Sequence, residues 1–133
     1  MPLKLRPFLK GLLDILKEDY PAQLRRMARE ARGLIYLQVL DEEKAVIRAG
    51  RGGISIEADA RERDLNVTVK VSRDCLFRIL DGQLTLDEAM QRDELKVFGE
   101  PRMILRCYRL WESVISLSRS SPKFYFHVKK LRS

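Results

Sequence analysis

Few side chains in this chain of 133 residues are of a type that does chemistry unaided. It has one histidine, His127, and two cysteines, Cys75 and Cys107. A catalytic centre needs a positioned acid, base or nucleophile, and His127 lies in a basic C-terminal stretch that reads as a tail. Cys75 and Cys107 fall in or beside apolar helical stripes, where a thiol is usually an inert small hydrophobe. Two cysteines make no disulfide framework, and no Cys-x-x-Cys or Cys/His pair has metal-ligand spacing, which fits a reducing cytoplasm. The acids Asp41, Glu42 and Glu43 crowd one turn and read as solvated. The Gly50 to Gly53 turn leads into a strand, whereas a phosphate loop needs a helix N-terminus. No catalytic residue and no metal site emerge, and the expectation is a protein that is not an enzyme.

Composition narrows the class further. With 45% hydrophobic and 34% charged residues the chain is globular rather than disordered, and its length suits one core. Charges recur too often for a membrane span, and the opening stretch, interrupted by Lys10 and Asp14, reads as mature protein rather than a leader. Of the net charge of +7, residues 119–133 supply five cations and no acid, leaving +2 for residues 1–118. A dedicated nucleic-acid face needs cations spread over the folded surface, so none is expected. The expected organisation is one domain over 1–118, with 1–20 as an added amphipathic helix and 119–133 as a basic tail. That tail, with Phe124, Tyr125, Phe126 and His127, is open to three readings: membrane contact, an extra strand or disorder.

The elements follow from periodicity. Leu5, Phe8, Leu9, Leu12, Leu13 and Leu16 line one side of a first helix, and Pro21 opens a second that Gly33 closes. Gly33–Leu40 and Ala45–Ala49 read as a hairpin, and a strand at Ile54–Ala58 follows. Leu65, Val67, Val69 and Val71 alternate with polar residues, as in a strand with one face buried. Ser72 caps a helix bearing Leu76, Phe77, Ile79 and Leu80, and Thr85 with Glu88 forms a capping box for another. A strand at Glu94–Phe98 precedes the longest helix, opened by Pro101, with Met103, Ile104, Cys107, Leu110, Trp111, Val114 and Ile115 on its inner face. The first four strands read as a meander. The fold class is α+β: a five-stranded, mostly antiparallel sheet covered on one face by helices.

Two apolar layers then face each other. The sheet side reads as Ile35, Leu37, Ile47, Ile54, Ile56, Val67, Val69 and Val97, and the helix side includes Phe77, Leu80, Met90, Met103 and Trp111. Between them lies either a full core or a tunnel. An empty apolar void of ~300 Å³ costs on the order of 7 kcal/mol, as much as a whole domain's stability, so a tunnel must be filled or collapse. The first and last helices, each with an apolar stripe flanked by cations (Lys4, Arg6, Lys10; Arg102, Arg106, Arg109), are candidate doors and candidate sites of transient membrane-surface contact.

The stretch Leu65–Glu100 resembles the sterol carrier protein type 2 family of lipid-transfer domains. The resemblance lies in LNVTVKVS, LDGQLTLDEAM and ELKVFGE, where Gly82, Leu84, Ala89, Leu95, Val97 and Gly99 fall at the family's spacing; it extends loosely over 21–118. Asp93-Glu94 departs from the family's usual Gly-Lys, a place where aspartate tolerates a left-handed turn. The resemblance implies a tunnel between sheet and helices and a non-enzymatic lipid carrier. The lipid would be a fatty acyl, isoprenoid or sterol-like molecule, with no other cofactor. The implied lining is Val67, Val69, Phe77, Leu80, Leu84, Met90, Val97, Met103, Ile104, Cys107, Trp111 and Ile115. An alternative role is an accessory factor that presents a lipid intermediate, such as a quinone precursor, to biosynthetic enzymes; a basic nucleic-acid-binding module ranks behind both.

Overall fold

The computed structural model describes residues 2–57 and 64–132. The elements run α1 (Leu5–Asp19), α2 (Pro21–Glu30), β1 (Ile35–Leu40), β2 (Glu43–Gly50), β3 (Gly53–Glu57), β4 (Val67–Val71), α3 (Arg73–Leu80), α4 (Leu86–Gln91), β5 (Leu95–Gly99), α5 (Pro101–Ser120) and α6 (Pro122–Val128). Ala58, the expected end of the third strand, lies outside the described residues. The caps form as the sequence implies: Ser72 Oγ accepts from Cys75 N at 3.1 Å, and Thr85 and Glu88 make a reciprocal capping box. Asp93 takes the left-handed conformation at φ 61°.

The sheet has the order β3-β2-β1-β4-β5. Three of its four pairings are antiparallel, but β4 runs parallel to β1, Gln38 beside Val69 and Leu40 beside Val71. The expected four-strand meander therefore stops at β3, and the next strand joins the opposite edge of β1. The tie is Asn66. Its Oδ1 accepts from Ile35 N at 3.0 Å, its Nδ2 donates to Gly33 O at 2.7 Å, and its own N–H donates to Ile35 O at 2.9 Å. Alternation predicts a strand over 65–71, of which Val67–Val71 form β4; it carries no information about which strand is the neighbour.

Pairing also settles the buried face. Tyr36, Gln38 and Leu40 point to the helices with Ala45, Ile47, Ala49, Val67, Val69 and Val71, all at most 6% exposed. Ile35 and Leu37, expected on that side, are half-buried on the other. The error has a plain cause, since a run apolar on both sides of Gln38 has no alternation to read, and a glutamine is a poor guess for a core position. On β5, Gly99 sits at φ 143°, where an added Cβ would come 2.2 Å from Asn66 O, so only glycine lets the two backbones close there.

Residues 119–132 are not a tail. Ser121 caps α6 by accepting from Phe124 N at 3.2 Å, and Phe124, Val128 and Leu131 are fully enclosed in the same core as α1. The cations alternate with these apolar anchors at helical spacing and stay outside. Leu3 N donates to Lys130 O at 2.8 Å, and Arg73 donates to Leu3 O and Leu131 O at 2.7 and 3.2 Å while pairing with Glu43. Glu43, expected to be merely solvated, also accepts from Leu5 N at 2.8 Å. His127 stacks on Phe8 with ring centroids 5.2 Å apart, and its Nε2, 2.8 Å from Phe8 O, carries the proton because a carbonyl only accepts.

Two predictions follow from the contact between α1 and α6. In a helix interior Gly11→Ala ordinarily gains about 1 kcal/mol, but here the new Cβ would stand 2.1 Å from the His127 ring. Overpacking costs about 1–3 kcal/mol. Urea titration should find Gly11→Ala less stable than the parent yet stabilising once His127→Ala is present; persistent destabilisation in that background would show that the methyl meets something else. Burial pushes His127 below its usual range against the opposing pull of the Phe8 carbonyl. The unfolded chain then binds this proton more readily than the folded one, so the stabilisation is complete above about pH 6.5 and is lost as pH falls below it. Urea midpoints followed from about pH 8 to pH 5 should fall further for the parent than for His127→Gln, and equal losses would remove His127 from the account.

Candidate functional site

The inner sheet face meets α5 at one end only loosely. Between β1, β4 and β5 on one side and α3, α4 and α5 on the other lies a cavity of about 390 Å³. Its floor is Gln38, Val69, Val71, Leu95 and Val97; its roof and walls are Leu76, Ile79, Leu86, Met90, Pro101, Ile104, Leu105, Cys107, Tyr108 and Trp111. Burial along this lining shows which way it opens. Gln38, Leu76, Ile79, Cys107 and Trp111 are buried, Leu86, Met90, Ile104 and Tyr108 half-buried, and Leu105 is 48% exposed. The mouth therefore lies between α4 and α5, where Tyr108 Oη donates to Asp87 Oδ1 at 3.0 Å and ties the two helices together.

Six of the twelve residues expected to line a pocket stand around this cavity: Val69, Met90, Val97, Ile104, Cys107 and Trp111. The other six do not. Val67 is buried two residues before Val69 on β4, opposite Gly99, and Phe77 lies under the Arg132 guanidinium, 5.1 Å from its ring centroid. Leu80 faces α5, its carbonyl accepting from Ser118 Oγ at 2.8 Å. Met103 turns back toward Gly33, and Leu84 and Ile115 border a shallow hollow on the far side of α4. A helical stripe spans more than 100°, so its two margins meet different neighbours, and periodicity alone does not separate them. Leu76 and Ile79 line the cavity from the same apolar stripe of α3 as Phe77 and Leu80 although the expected lining omits them, whereas Gln38 carries no signal until β1 is paired.

The first helix is not a door to this cavity. Its stripe is buried against β2, β3, α2 and α6, and it borders a separate space of about 50 Å³ with Tyr36, Ile47 and Leu110. Trp111 stands in both linings and its Nε1 donates to Tyr36 Oη at 2.8 Å, so this pair partitions the interior. Burial drives the Tyr36 hydroxyl well above the usual tyrosine range. Burial likewise pushes the Cys107 thiol up to about 12, so it is protonated at neutral pH and a poor nucleophile. Among the described residues no lysine, arginine, histidine, aspartate or glutamate lines the cavity. Among the described residues no three His, Cys, Asp or Glu side chains converge on a metal position, and no helix is long and apolar enough to cross a membrane.

Fold and cavity together define a class: an α+β domain whose single mixed sheet is roofed by helices around an apolar hollow. Residues 13–111 match the SCP-2 sterol transfer family, and the chain belongs to that family. Solved structures agree on the fold. The sterol carrier protein domain of Helicoverpa armigera superposes with a TM-score of 0.61 at 14% identity, covering 81% of this chain and 85% of its own. A ubiquinone synthesis protein, UbiJ-SCP2, gives 0.60 at 16% identity, covering 78% and 90%. The inverting sec-alkylsulfatase Pisa1 from Pseudomonas sp. gives 0.50 at 18% identity over 62% of this chain, which spans only 14% of that much longer enzyme. No curated protein matches the sequence.

The Trp111–Tyr36 pair yields a test of the partition. Trp111→Phe keeps an aromatic ring but removes the indole N–H and strands a buried hydroxyl, which costs about 1–3 kcal/mol. Tyr36→Phe added to it should recover part of that loss in urea titration, whereas additive losses would mean that the two side chains do not act as a pair.

Proposed function

We propose that this protein binds a lipid in the cavity between β4, β5 and α3–α5 and carries it without transforming it. One observation carries the reading: a 390 Å³ apolar space with no charged residue among its described lining, in a chain of the SCP-2 sterol transfer family. Water against such walls is unfavourable, and each buried methylene of a ligand contributes roughly 0.8 kcal/mol. A chain of about ten carbons thus gains on the order of 8 kcal/mol before ordering costs, which leaves micromolar affinity within reach. Burial of this kind is non-directional, and it selects for apolar volume more than for chemical detail. Exposed Leu105 at the mouth, with Arg102 and Arg109 on the same helix, suits loading at an anionic lipid surface, and a soluble cytoplasmic carrier is the setting we favour.

A second reading is presentation of a lipid intermediate to biosynthetic enzymes, motivated by the structural likeness to a ubiquinone synthesis protein. Capture of such enzymes by the tagged protein, lost on lipid depletion, would favour presentation over free transfer. For either role, solvent extraction of freshly purified protein followed by mass spectrometry should release a lipid. Ile104→Glu, which places a carboxylate in the half-buried wall, should weaken binding of an uncharged fluorescent long-chain alcohol analogue at least about tenfold with unchanged far-ultraviolet circular dichroism. Protein that yields no lipid and binds no analogue would end the proposal.

A further inference from the structure

Gln38 is the one side-chain amide in the cavity lining and is 1% exposed. Its Nε2 is directed at two main-chain acceptors, Val39 O at 3.3 Å and Val69 O at 3.5 Å. Carbonyl oxygens accept and do not donate, so these contacts orient the amide with nitrogen to the sheet and oxygen away from it. The oxygen receives no hydrogen bond from any described residue. Every fully enclosed side-chain nitrogen or oxygen among the described residues does have a partner, so Oε1 is not fully enclosed, and the space that Gln38 borders is the cavity. An amide oxygen at the deep end of an otherwise apolar pocket is an acceptor waiting for a donor.

Resting on the lipid-binding reading above, we propose that Gln38 selects the ligand's head: a neutral amphiphile with an O–H or N–H donor, such as an aliphatic alcohol or a phenol, enters head first and donates to Gln38 Oε1. Its apolar body then fills the wider, half-buried part between α4 and α5, past Met90 and Ile104. An ionised carboxylate is excluded on two grounds. Among the described residues no cation lines the cavity to balance it, and the amide oxygen would face its negative charge. A ligand that offers only an acceptor leaves Oε1 unpartnered and adds a second lone pair against it.

The test uses the intact chain and its only tryptophan, Trp111, which stands in the lining, as the reporter. Fluorescence titrations compare dodecanol, dodecyl methyl ether and dodecanoate at pH 8. The alcohol should bind about fivefold or more tightly than the ether, in keeping with the net value of one hydrogen bond, and dodecanoate most weakly. Gln38→Met, which keeps the length and removes the acceptor, should bring the alcohol-to-ether ratio near unity mainly by improving the ether. An ether bound as well as the alcohol by the parent, or a ratio unchanged in Gln38→Met, overturns the proposal while leaving a lipid-binding cavity in place. Binding of none of the three by the parent overturns the lipid-binding reading itself. The parent's ratio decides the matter even if the variant folds poorly.

Discussion

Asn66 holds the first residues of β4 against the first residues of β1 with three hydrogen bonds, two from its side chain and one from its backbone. Because side chains alternate along a strand, this register decides more than neighbourhood: a slip by one residue would turn Val67, Val69 and Val71 outward and bring Thr68 and Lys70 in. With the register as it stands, β4 extends the apolar face of β1, and β5 extends that of β4, with Val97 opposite Val69 and Leu95 opposite Val71. Gly99 then lies on the backbone of Asn66 and Val67, and the chain turns directly into Pro101 at the head of α5. The floor of the cavity and the start of its roof both descend from that one asparagine.

The cavity exists because α5 is held along its length without settling onto the sheet. Arg106 reaches back to the carbonyl of Arg32, Tyr108 bonds to Asp87 on α4, and Ser118 Oγ donates to the carbonyl of Leu80 on α3. Between these ties Trp111 spans the gap to Tyr36. Interiors normally pack to a density that leaves few voids larger than water, so a space of this size is maintained by its frame. The wall toward the mouth includes Met90, an unbranched and adaptable side chain that accommodates varied shapes.

At the opposite end of the molecule α1 packs against α6. The two termini meet there, joined by Leu3 and Lys130, and Arg73 binds both together with Glu43. His127 fits only because position 11 of α1 is glycine. The half built on α1 and α6 and the hollow half share one sheet and one long helix, with Trp111 between them, so the packing of α1 and α6 supports the part of α5 that stands clear of β4 and β5.

Much of this was legible from residue types and spacing. The helices α1 to α5, the caps at Ser72 and Thr85, the position of each strand and the α+β class follow from local periodicity and cap chemistry, because those signals lie within a few residues of the structure they specify. The family spacing from Gly82 to Gly99 was readable for the same reason. What depended on residues distant in sequence was not readable: the parallel partner of β4, the face on which Gln38 lies, the half of each helical stripe that borders the cavity, and the packing of α6. The segment 119–132 looked like a tail because its cations dominate its composition, yet Phe124, Val128 and Leu131 needed only a surface to cover, and α1 supplied it. Composition and periodicity state what each segment can bury; which surface it buries against is a property of the assembled fold, and the cavity, being a space that no single segment encloses, is decided there.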